Sequence, residues 1–546
     1  MNEILQIEHL NVDYMVKKNT VHAVKELSLV LHEGEDLGII GESGSGKSTL
    51  ASAIMRSDAP TRLAQGRVLY RGVDLLSLSE KEFDRYRWSE IAMVFQNSLD
   101  ILNPLIPIGE QIAECVRKHR KADRAGAAER ALEVLRLVNL PQETAAMLPH
   151  QLSGGMRQRA LIAMAISCSP RLLIADEPTS AVDEENKRDI VALLLHLKRE
   201  LGLTLLIVSH EIQTVAALTS RIAVLYGGAL MESGETREVL RCARHIYTRG
   251  LLSSSPQINP YRDLWGLSEE GELPDTGCPF FGRCPQRVEI CGEQLPPLLP
   301  LPDNPKRLVA CHCGGIVPLL SVQGLSKQFK NGRNTVDACD SCSFEIYCGE
   351  VVSVIGPSGA GKSTLAMICA GIEQADSGQV WFGTEEVLGN TATSKKGGLQ
   401  IIFQDPFSSV NGNLSVFKVI SEPLRILKEK GIEEQVLQLL KDVGLPHSQA
   451  FMDRPCSTLS GGQRQRVSIA RALAMEPRLL IADEICSMLD PSTQANLLRM
   501  LKGLQQKRGM GLLFVTHDEL LSKKIADRVF RMESGRLEEV NDSLLA

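Results

Sequence analysis

Four short motifs occur twice, in the same order, along the 546 residues of this chain. GESGSGKST begins at Gly41 and GPSGAGKST at Gly356, and each is followed by LSGG, LLIADE and an apolar run that ends in histidine. The last three motifs recur at one identical spacing. Such self-similarity indicates two copies of one structural unit. We therefore predict a first domain over residues 1–250, a second over 319–546, and a Pro- and Cys-rich segment over 251–318 between them.

Apolar runs without polar alternation indicate the core of each copy. EDLGII (35–40) and EVVSVI (350–355) stand directly before the Gly-rich motifs, and a helix is expected to begin at each Lys-Ser-Thr. RLLIAD (171–176) and LTLLIVSH (203–210) are apolar without alternation, which is typical of parallel strands covered on both faces. Helical spacing of Leu, Val and Ala over 126–140 and 432–445 predicts a helical part in each copy. The expected fold class is α/β, with a parallel-sheet core and a helical subdomain in each domain.

The Gly-rich motifs fit the pattern G-x-x-x-x-G-K-[ST], which predicts a phosphate-binding loop, or P-loop. Glycines let backbone N–H groups surround phosphates, the lysine reaches phosphate oxygens, and the hydroxyl is a ligand of Mg²⁺. ATP with Mg²⁺ is therefore the expected cofactor. The predicted ATP-binding residues are Gly41, Ser43, Gly44, Gly46, Lys47, Ser48 and Thr49 in the first copy and Gly356, Ser358, Gly359, Gly361, Lys362, Ser363 and Thr364 in the second.

Each apolar run LLIAD ends in an Asp-Glu pair, which supplies two further requirements of phosphoryl transfer. Asp176 and Asp483 are predicted to hold Mg²⁺, together with Ser48 and Ser363. Glu177 and Glu484 follow directly and are predicted general bases that polarise water toward the γ-phosphate.

LSGGMRQR at 152–159 and LSGGQRQR at 459–466 closely resemble the signature sequence of ABC ATPases. The resemblance extends over nearly all of both copies. It implies that the two domains face head to tail, so that the signature of one covers the ATP bound by the other's P-loop. Ser153, Gly154 and Gly155, like Ser460, Gly461 and Gly462, would open a helix whose N-terminal amides favour an anion.

The same resemblance assigns further residues. Gln96 and Gln404 match the glutamine that touches Mg²⁺ or the attacking water and senses the transport subunit, and His210 and His517 match the switch histidine that contacts the γ-phosphate. Asp183 and Asp490 match the D-loop aspartate that crosses to the opposite site. Tyr14 and Phe329 match the aromatic that stacks on adenine, although an ordinary strand aromatic leaves the same trace. ICSMLD replaces the usual PTSAVD in the second copy, yet every catalytic position is filled, so both sites are expected to hydrolyse ATP.

The cysteines of the middle segment resemble those in the C-terminal extension of ATPases that drive dipeptide, oligopeptide and nickel importers. Cys278, Cys284, Cys291 and Cys311 match that pattern. Thiolates at four points can bind a [4Fe–4S] cluster or Zn²⁺, and a reduced, metal-free loop is the alternative.

The resemblance favours an importer ATPase for peptides or for nickel or metallophore complexes. Its partners would be two transmembrane permeases and an extracytoplasmic binding protein, with membrane contact only through the permeases. No uninterrupted apolar run is long enough to span a bilayer, which predicts a cytoplasmic protein on the inner face of the membrane. A soluble tandem ABC ATPase acting on the ribosome or nucleic acid is the alternative. The net charge of −6 argues against it, and no nucleic-acid partner is expected. An exporter is less favoured because the cysteine extension points to import.

Overall fold

The computed structural model describes residues 2–16, 19–57, 62–95, 101–180, 182–255, 274, 276–331, 334–389, 392–405, 409–487 and 489–540. These residues form two compact units. The first runs to Leu252 and adds the described parts of Gly271–Gly282 and Val288–Gly315. The second takes in the described parts of Ser253–Glu270, together with Arg283–Arg287 and the described residues from Ile316 onward. The domain boundaries inferred from the sequence remain predictions.

The first unit alternates strands and helices. Its strands are β1 (Glu3–Val16), β2 (Asn19–His32), β3 (Asp36–Ile40), β4 (Arg62–Tyr70), β5 (Val73–Asp74), β6 (Ile91–Val94), β7 (Leu172–Asp176), β8 (Thr204–Val208), β9 (Arg221–Tyr226), β10 (Ala229–Glu235), β11 (Leu298–Pro300) and β12 (Leu308–Ala310). Its helices are α1 (Lys47–Met55), α2 (Glu80–Phe83), α3 (Ile108–Arg120), α4 (Arg124–Leu137), α5 (Gly154–Ile166), α6 (Glu184–Leu201), α7 (Ile212–Leu218), α8 (Thr236–Arg241), α9 (Ile246–Ser253) and α10 (Ile290–Glu293).

Two sheets build this unit. Strands β2, β1, β4 and β5 form an antiparallel sheet in that order. The larger sheet has the order β11-β12-β10-β9-β3-β8-β7-β6. Strands β9, β3, β8, β7 and β6 are parallel neighbours, so their carboxyl ends share one edge. All residues of β3, β7 and β8 are buried, which explains their mostly apolar sequences.

The second unit repeats this plan. Its strands are β13 (Pro318–Asn331), β14 (Asn334–Tyr347), β15 (Val351–Ile355), β16 (Ser377–Phe382), β17 (Glu385–Glu386), β18 (Leu399–Ile402), β19 (Leu479–Asp483), β20 (Gly511–Thr516), β21 (Arg528–Glu533) and β22 (Arg536–Glu539). Its helices are α11 (Lys362–Cys369), α12 (Val416–Ile426), α13 (Ile432–Asp442), α14 (Gln449–Met452), α15 (Gly461–Leu473), α16 (Pro491–Arg508) and α17 (Glu519–Ile525).

The larger sheet of the second unit is shorter than that of the first. Its order is β18-β19-β20-β15-β21-β22, six strands against eight. The extra strands of the first unit, β11 and β12, come from the middle segment. Strand β12 pairs with β10 in antiparallel fashion, with Glu232 opposite Val309 and Ser233 opposite Leu308. Part of the middle segment is therefore built into the sheet of the first unit.

The helical part that the sequence predicts is present in both units. Helix α4 covers most of 126–140 and α13 most of 432–445. In the second unit α12, α13 and α15 pack around one apolar cluster that includes Val419, Val436 and Val467. Across the described ranges, no helix combines the length and apolar character needed to span a bilayer.

Candidate nucleotide-binding sites

Each P-loop connects a buried strand to a helix, as the sequence predicts. Strand β3 ends at Ile40 and α1 begins at Lys47, while β15 ends at Ile355 and α11 begins at Lys362. Gly46 has φ +98°, and a Cβ there would lie 2.3 Å from the carbonyl oxygen of Ala23. Only glycine fits this position, because both the backbone angle and the close approach exclude a side chain. Gly46 has no side chain that could cap the helix. The first backbone N–H groups of α1 can therefore bind an anion.

The two P-loop lysines make equivalent contacts. Lys47 Nζ donates to the carbonyl oxygens of Gly41 and Glu42, both at 2.9 Å. Lys362 Nζ donates to the carbonyl oxygens of Gly356 and Pro357, both at 3.0 Å. Burial lowers the pKa of Lys47, although Glu177 and Asp176 oppose the shift through their negative charge. Each ammonium therefore lies directly over the loop that would hold phosphates.

The remaining predicted P-loop residues lie in these two loops and in the first helical turns after them. They are Ser43, Gly44, Ser48 and Thr49 in the first unit and Ser358, Gly359, Gly361, Ser363 and Thr364 in the second.

The aspartates predicted to hold Mg²⁺ end strands β7 and β19 beside the P-loop hydroxyls. Ser48 Oγ donates to Asp176 Oδ1 at 3.2 Å, and Ser363 makes the corresponding hydrogen bond to Asp483. Burial raises the pKa of Asp176 to about 6 and also raises the pKa of Asp483. Asp483 Oδ1 is buried and has no hydrogen-bond partner in the described part of the chain. A buried carboxylate oxygen beside a hydroxyl is a donor set that suits Mg²⁺, directly or through its water shell.

Glu177, the predicted general base of the first unit, is buried and is held by the two residues that follow β8. Its Oε1 accepts from the backbone N–H of His210 at 3.0 Å and lies 2.6 Å from His210 Nδ1. Its Oε2 accepts from Ser209 Oγ at 3.3 Å. Glu177 also has φ +51°, an uncommon backbone angle for a residue with a side chain. Local strain of this kind clusters at functional sites.

Glu484 has the same strained backbone, with φ +45°, but different partners. Gln404 Nε2 donates to Glu484 Oε2 at 3.0 Å, and Lys362 Nζ lies 3.4 Å from Glu484 Oε1. His517 Nδ1 is 3.7 Å from the carboxylate, beyond hydrogen-bond distance. The second unit therefore brings together the glutamine, glutamate and lysine that the sequence predicts. Gln96, the counterpart of Gln404, lies outside the described residues.

The signature serines cap the helices that follow them. Ser153 Oγ accepts from the backbone N–H of Met156 at 3.3 Å at the start of α5, and Ser460 Oγ accepts from Gln463 N–H at 3.3 Å at the start of α15. Both serines are exposed, and Gly154, Gly155, Gly461 and Gly462 form the first helical turns. Each unit therefore presents a capped helix N-terminus to solvent, as an anion site on another domain would require.

The D-loop aspartates also act as helix caps. Asp183 Oδ1 accepts from the backbone N–H of Asn186 at 2.9 Å, and Asp490 Oδ1 accepts from Ser492 and Thr493 N–H, both at 3.1 Å. These hydrogen bonds lower the pKa of each aspartate. Each carboxylate is thus held ionised at the start of α6 or α16.

The predicted adenine-stacking aromatics occupy equivalent strands but different surroundings. Tyr14 on β1 pairs with Val21 and is partly buried against the core. Phe329 on β13 pairs with Val336, is 42% exposed, and has Lys327 Nζ 5.3 Å from its ring centre. Phe329 is therefore the more exposed of the two aromatic residues.

One polar network beside the first switch histidine was missed by sequence reasoning. Glu211 accepts from Thr179 Oγ1 and Thr214 Oγ1, both at 3.0 Å, and from Lys187 Nζ at 2.5 Å. The matching positions of the second unit carry Cys486, Asp518, Leu521 and Gln494. The threonine-to-cysteine change in ICSMLD was the visible signal, but its link to a residue after the histidine becomes apparent only in the fold.

The metal centre predicted at Cys278, Cys284, Cys291 and Cys311 is not supported. No group of three or more His, Cys, Asp or Glu side chains within the described ranges is arranged to hold a metal ion. Within this region, Cys278 N–H donates to the carbonyl oxygen of Cys291 at 2.7 Å.

Comparison with known proteins agrees with this arrangement. Residues 24–180 and 339–487 match the family model described as ABC transporter. Residues 231–291 match the model described as the oligopeptide/dipeptide transporter C-terminal region.

Curated relatives include the glutathione import ATP-binding protein GsiA of Pectobacterium atrosepticum and of Escherichia coli strain K12. Each is 34% identical to this chain over 98% of its residues and 86% of the relative's length. Among solved structures, a dimeric bacterial ABC transporter cassette matches 43% of this chain and 99% of its own length, at 32% identity and a TM-score of 0.39.

Proposed function

Because the chain belongs to the ABC transporter ATP-binding family, we propose that it is the ATP-hydrolysing subunit of an importer for short peptides or peptide-like molecules. The chain is an ABC ATPase with two ATP-binding domains. The observation that carries the importer proposal is a family match that extends into the middle segment. Residues 231–291 match the oligopeptide/dipeptide transporter C-terminal region, and relatives that align over 98% of the chain are import proteins.

The cargo class follows from those relatives. These relatives are named as glutathione import proteins, and glutathione is a short peptide. This favours a peptide-like cargo over a nickel or metallophore complex, the other class that the cysteine extension suggests.

In the first unit, the chemistry we propose uses contacts that already exist in the chain. The P-loop amides and Lys47 would hold the phosphates of ATP, and Glu177 would accept a proton from the attacking water. Three groups position its carboxylate: the backbone N–H of His210, the ring Nδ1 of His210 and the hydroxyl of Ser209. Mg²⁺, when bound, would neutralise charge on the phosphates, and Ser48 and Asp176 are the residues placed to hold it.

The second unit supports the same chemistry with Lys362, Ser363, Asp483 and Glu484. Here Gln404 donates directly to the proposed general base, and the switch histidine is more distant. The exposed helix N-termini at Ser153 and Ser460 support the further proposal that each signature completes the ATP site of the opposite domain.

The partners we propose are two membrane permeases and an extracytoplasmic binding protein, with the chain peripheral on the inner face of the membrane. The import relatives support this arrangement. They also make a ribosome- or nucleic-acid-linked ATPase the weaker candidate.

Uptake measurements test the importer proposal. A strain lacking this chain should lose uptake of labelled glutathione or of labelled dipeptides, and the wild-type chain should restore it. A chain carrying both Glu177→Gln and Glu484→Gln is the matched control, since it should be made at the same level but restore no uptake. Unchanged peptide uptake in the deletion strain, with loss of nickel uptake, would move the cargo to the other class.

The cysteine metal centre forms no part of this proposal. Elemental analysis of the purified protein for iron and zinc tests it directly, because a filled centre would give a fixed ratio of metal to chain.

A further inference from the structure

Tyr247 connects the middle segment to the first P-loop. The residue lies near the start of α9, and its side chain is fully buried. Its hydroxyl oxygen accepts a hydrogen bond from the backbone N–H of Glu42 at 2.8 Å. Glu42 is the second residue of the P-loop, so a residue 205 positions away contacts the loop that would hold phosphates.

The peptide unit that Tyr247 contacts also contacts the P-loop lysine. The N–H of Glu42 and the carbonyl of Gly41 belong to one amide, and that carbonyl accepts from Lys47 Nζ at 2.9 Å. The amide therefore lies between the tyrosine hydroxyl and the lysine ammonium. Hydrogen bonds made at the two ends of one amide polarise each other.

Tyr247 packs against one residue of the middle segment and against two residues that precede it. Its ring centre lies 4.5 Å from that of Tyr226 and 5.6 Å from that of Phe280, which is a buried residue of the segment. Its backbone N–H donates to His245 Nδ1 at 3.1 Å, so that nitrogen must be unprotonated. Burial lowers the pKa of His245 to about 4, consistent with a neutral ring.

A buried ion pair extends the connection to the added strands. The carboxylate of Glu232 on β10 accepts from the backbone N–H groups of Arg244 and His245, both at 2.9 Å. Arg307, directly before β12, donates to Glu232 through Nε at 3.0 Å and a terminal nitrogen at 2.6 Å. A series of hydrogen bonds therefore connects the residue before β12 to the P-loop.

The second P-loop lacks the donor that this contact requires. Pro357 stands where the first loop has Glu42, and proline has no backbone N–H. The lysine contacts are otherwise equivalent in the two loops. The tyrosine contact is thus specific to the first ATP site.

We propose that Tyr247 is a positioning residue for the first ATP site, through which the middle segment fixes the Gly41–Glu42 peptide and Lys47 for phosphate binding. The second site binds ATP without such support. Tyr247 would act on ATP binding whichever cargo the protein helps to import.

Site-specific binding of ATP with Mg²⁺, measured by calorimetric titration of the full chain, tests the proposal. In a Lys362→Ala background only the first P-loop binds, and Tyr247→Phe should weaken that binding about two- to tenfold, the usual value of one hydrogen bond. In a Lys47→Ala background only the second P-loop binds, and Tyr247→Phe should change nothing. Tyr70→Phe is the matched control, because Tyr70 is equally buried and donates to Glu90 at 3.0 Å away from the P-loop. It should leave ATP affinity at both sites unchanged.

A double-mutant cycle separates positioning from general damage to the fold. Glu42→Pro gives the first loop the residue found in the second and removes the N–H, so Tyr247→Phe should cause no further weakening in that background. Loss of affinity at both sites, an equal loss with Tyr70→Phe, or a loss that persists in the Glu42→Pro background would each overturn the proposal. So would unchanged affinity of the first site in Tyr247→Phe.

Discussion

Arg307→Met tests how strongly the middle segment is joined to the first unit. The guanidinium is 6% exposed and its partner Glu232 is fully buried. Removing one member of a buried pair leaves the other charge uncompensated, which costs about 3 to 5 kcal/mol. Two backbone N–H groups, from Arg244 and His245, would still bind the carboxylate. We therefore expect the lower end of that range, about 3 kcal/mol.

Thermal unfolding followed by calorimetry measures this loss. Domains of this size shift by about 2 to 4 °C for each kcal/mol, so the transition of the first unit should fall by roughly 6 to 12 °C. The nearby pair Arg244–Asp303 provides the control, since its side chains are 35% and 58% exposed. Arg244→Met should cost less than about 1 kcal/mol, as exposed pairs do.

A second variant identifies the cause of the loss. Adding Glu232→Gln to Arg307→Met removes the uncompensated charge, so the double variant should be more stable than Arg307→Met alone. If Arg307→Met shifts the transition no more than Arg244→Met does, the buried pair does not hold the segment in place, and our reasoning is wrong.

The remaining predictions concern catalysis, pairing and pH. Glu177→Gln with Glu484→Gln should retain ATP binding and abolish turnover in a phosphate-release assay, and continued hydrolysis would remove these residues from the general-base role. Ser153→Arg should impair nucleotide trapping at the second P-loop more than at the first, whereas equal impairment would contradict head-to-tail pairing. His245 titrates near 6.5 when unfolded and at about 4 when folded, so wild-type stability should fall as pH drops from 6.5 toward 4, by about 2 kcal/mol at pH 5. In urea unfolding, the free energy of unfolding of His245→Asn should lack that part of the pH dependence. If it depends on pH as steeply as that of the wild type, His245 is not the cause.

Much of the fold followed from the sequence because its signals are local. A short, mostly apolar run before a Gly-rich loop predicts a buried strand, and β3 and β15 lie where the runs predict them. The serine before two glycines predicts a helix start, and Ser153 and Ser460 both cap helices. These features depend on neighbouring residues, so no knowledge of the tertiary structure was needed.

The contacts that distinguish the two units could not be read from the sequence. The Glu42–Tyr247 hydrogen bond joins residues 205 positions apart, and the Glu232–Arg307 pair spans 75. Strand β12 has three residues, too few for a periodic pattern. Pro357 could be seen in the sequence. That it removes a hydrogen-bond donor becomes clear only from the contact between Tyr247 and Glu42 in the first loop.

The pairing of β12 with β10 has a practical consequence for dissecting the chain. A fragment cut at residue 250 would expose the hydrogen-bonding edge of β10 and deprive the carboxylate at Glu232 of its cation. Such a fragment should self-associate through the unpaired edge of β10, as exposed edge strands do. An excised first half that is to behave as an autonomous enzyme therefore has to run through Gly315.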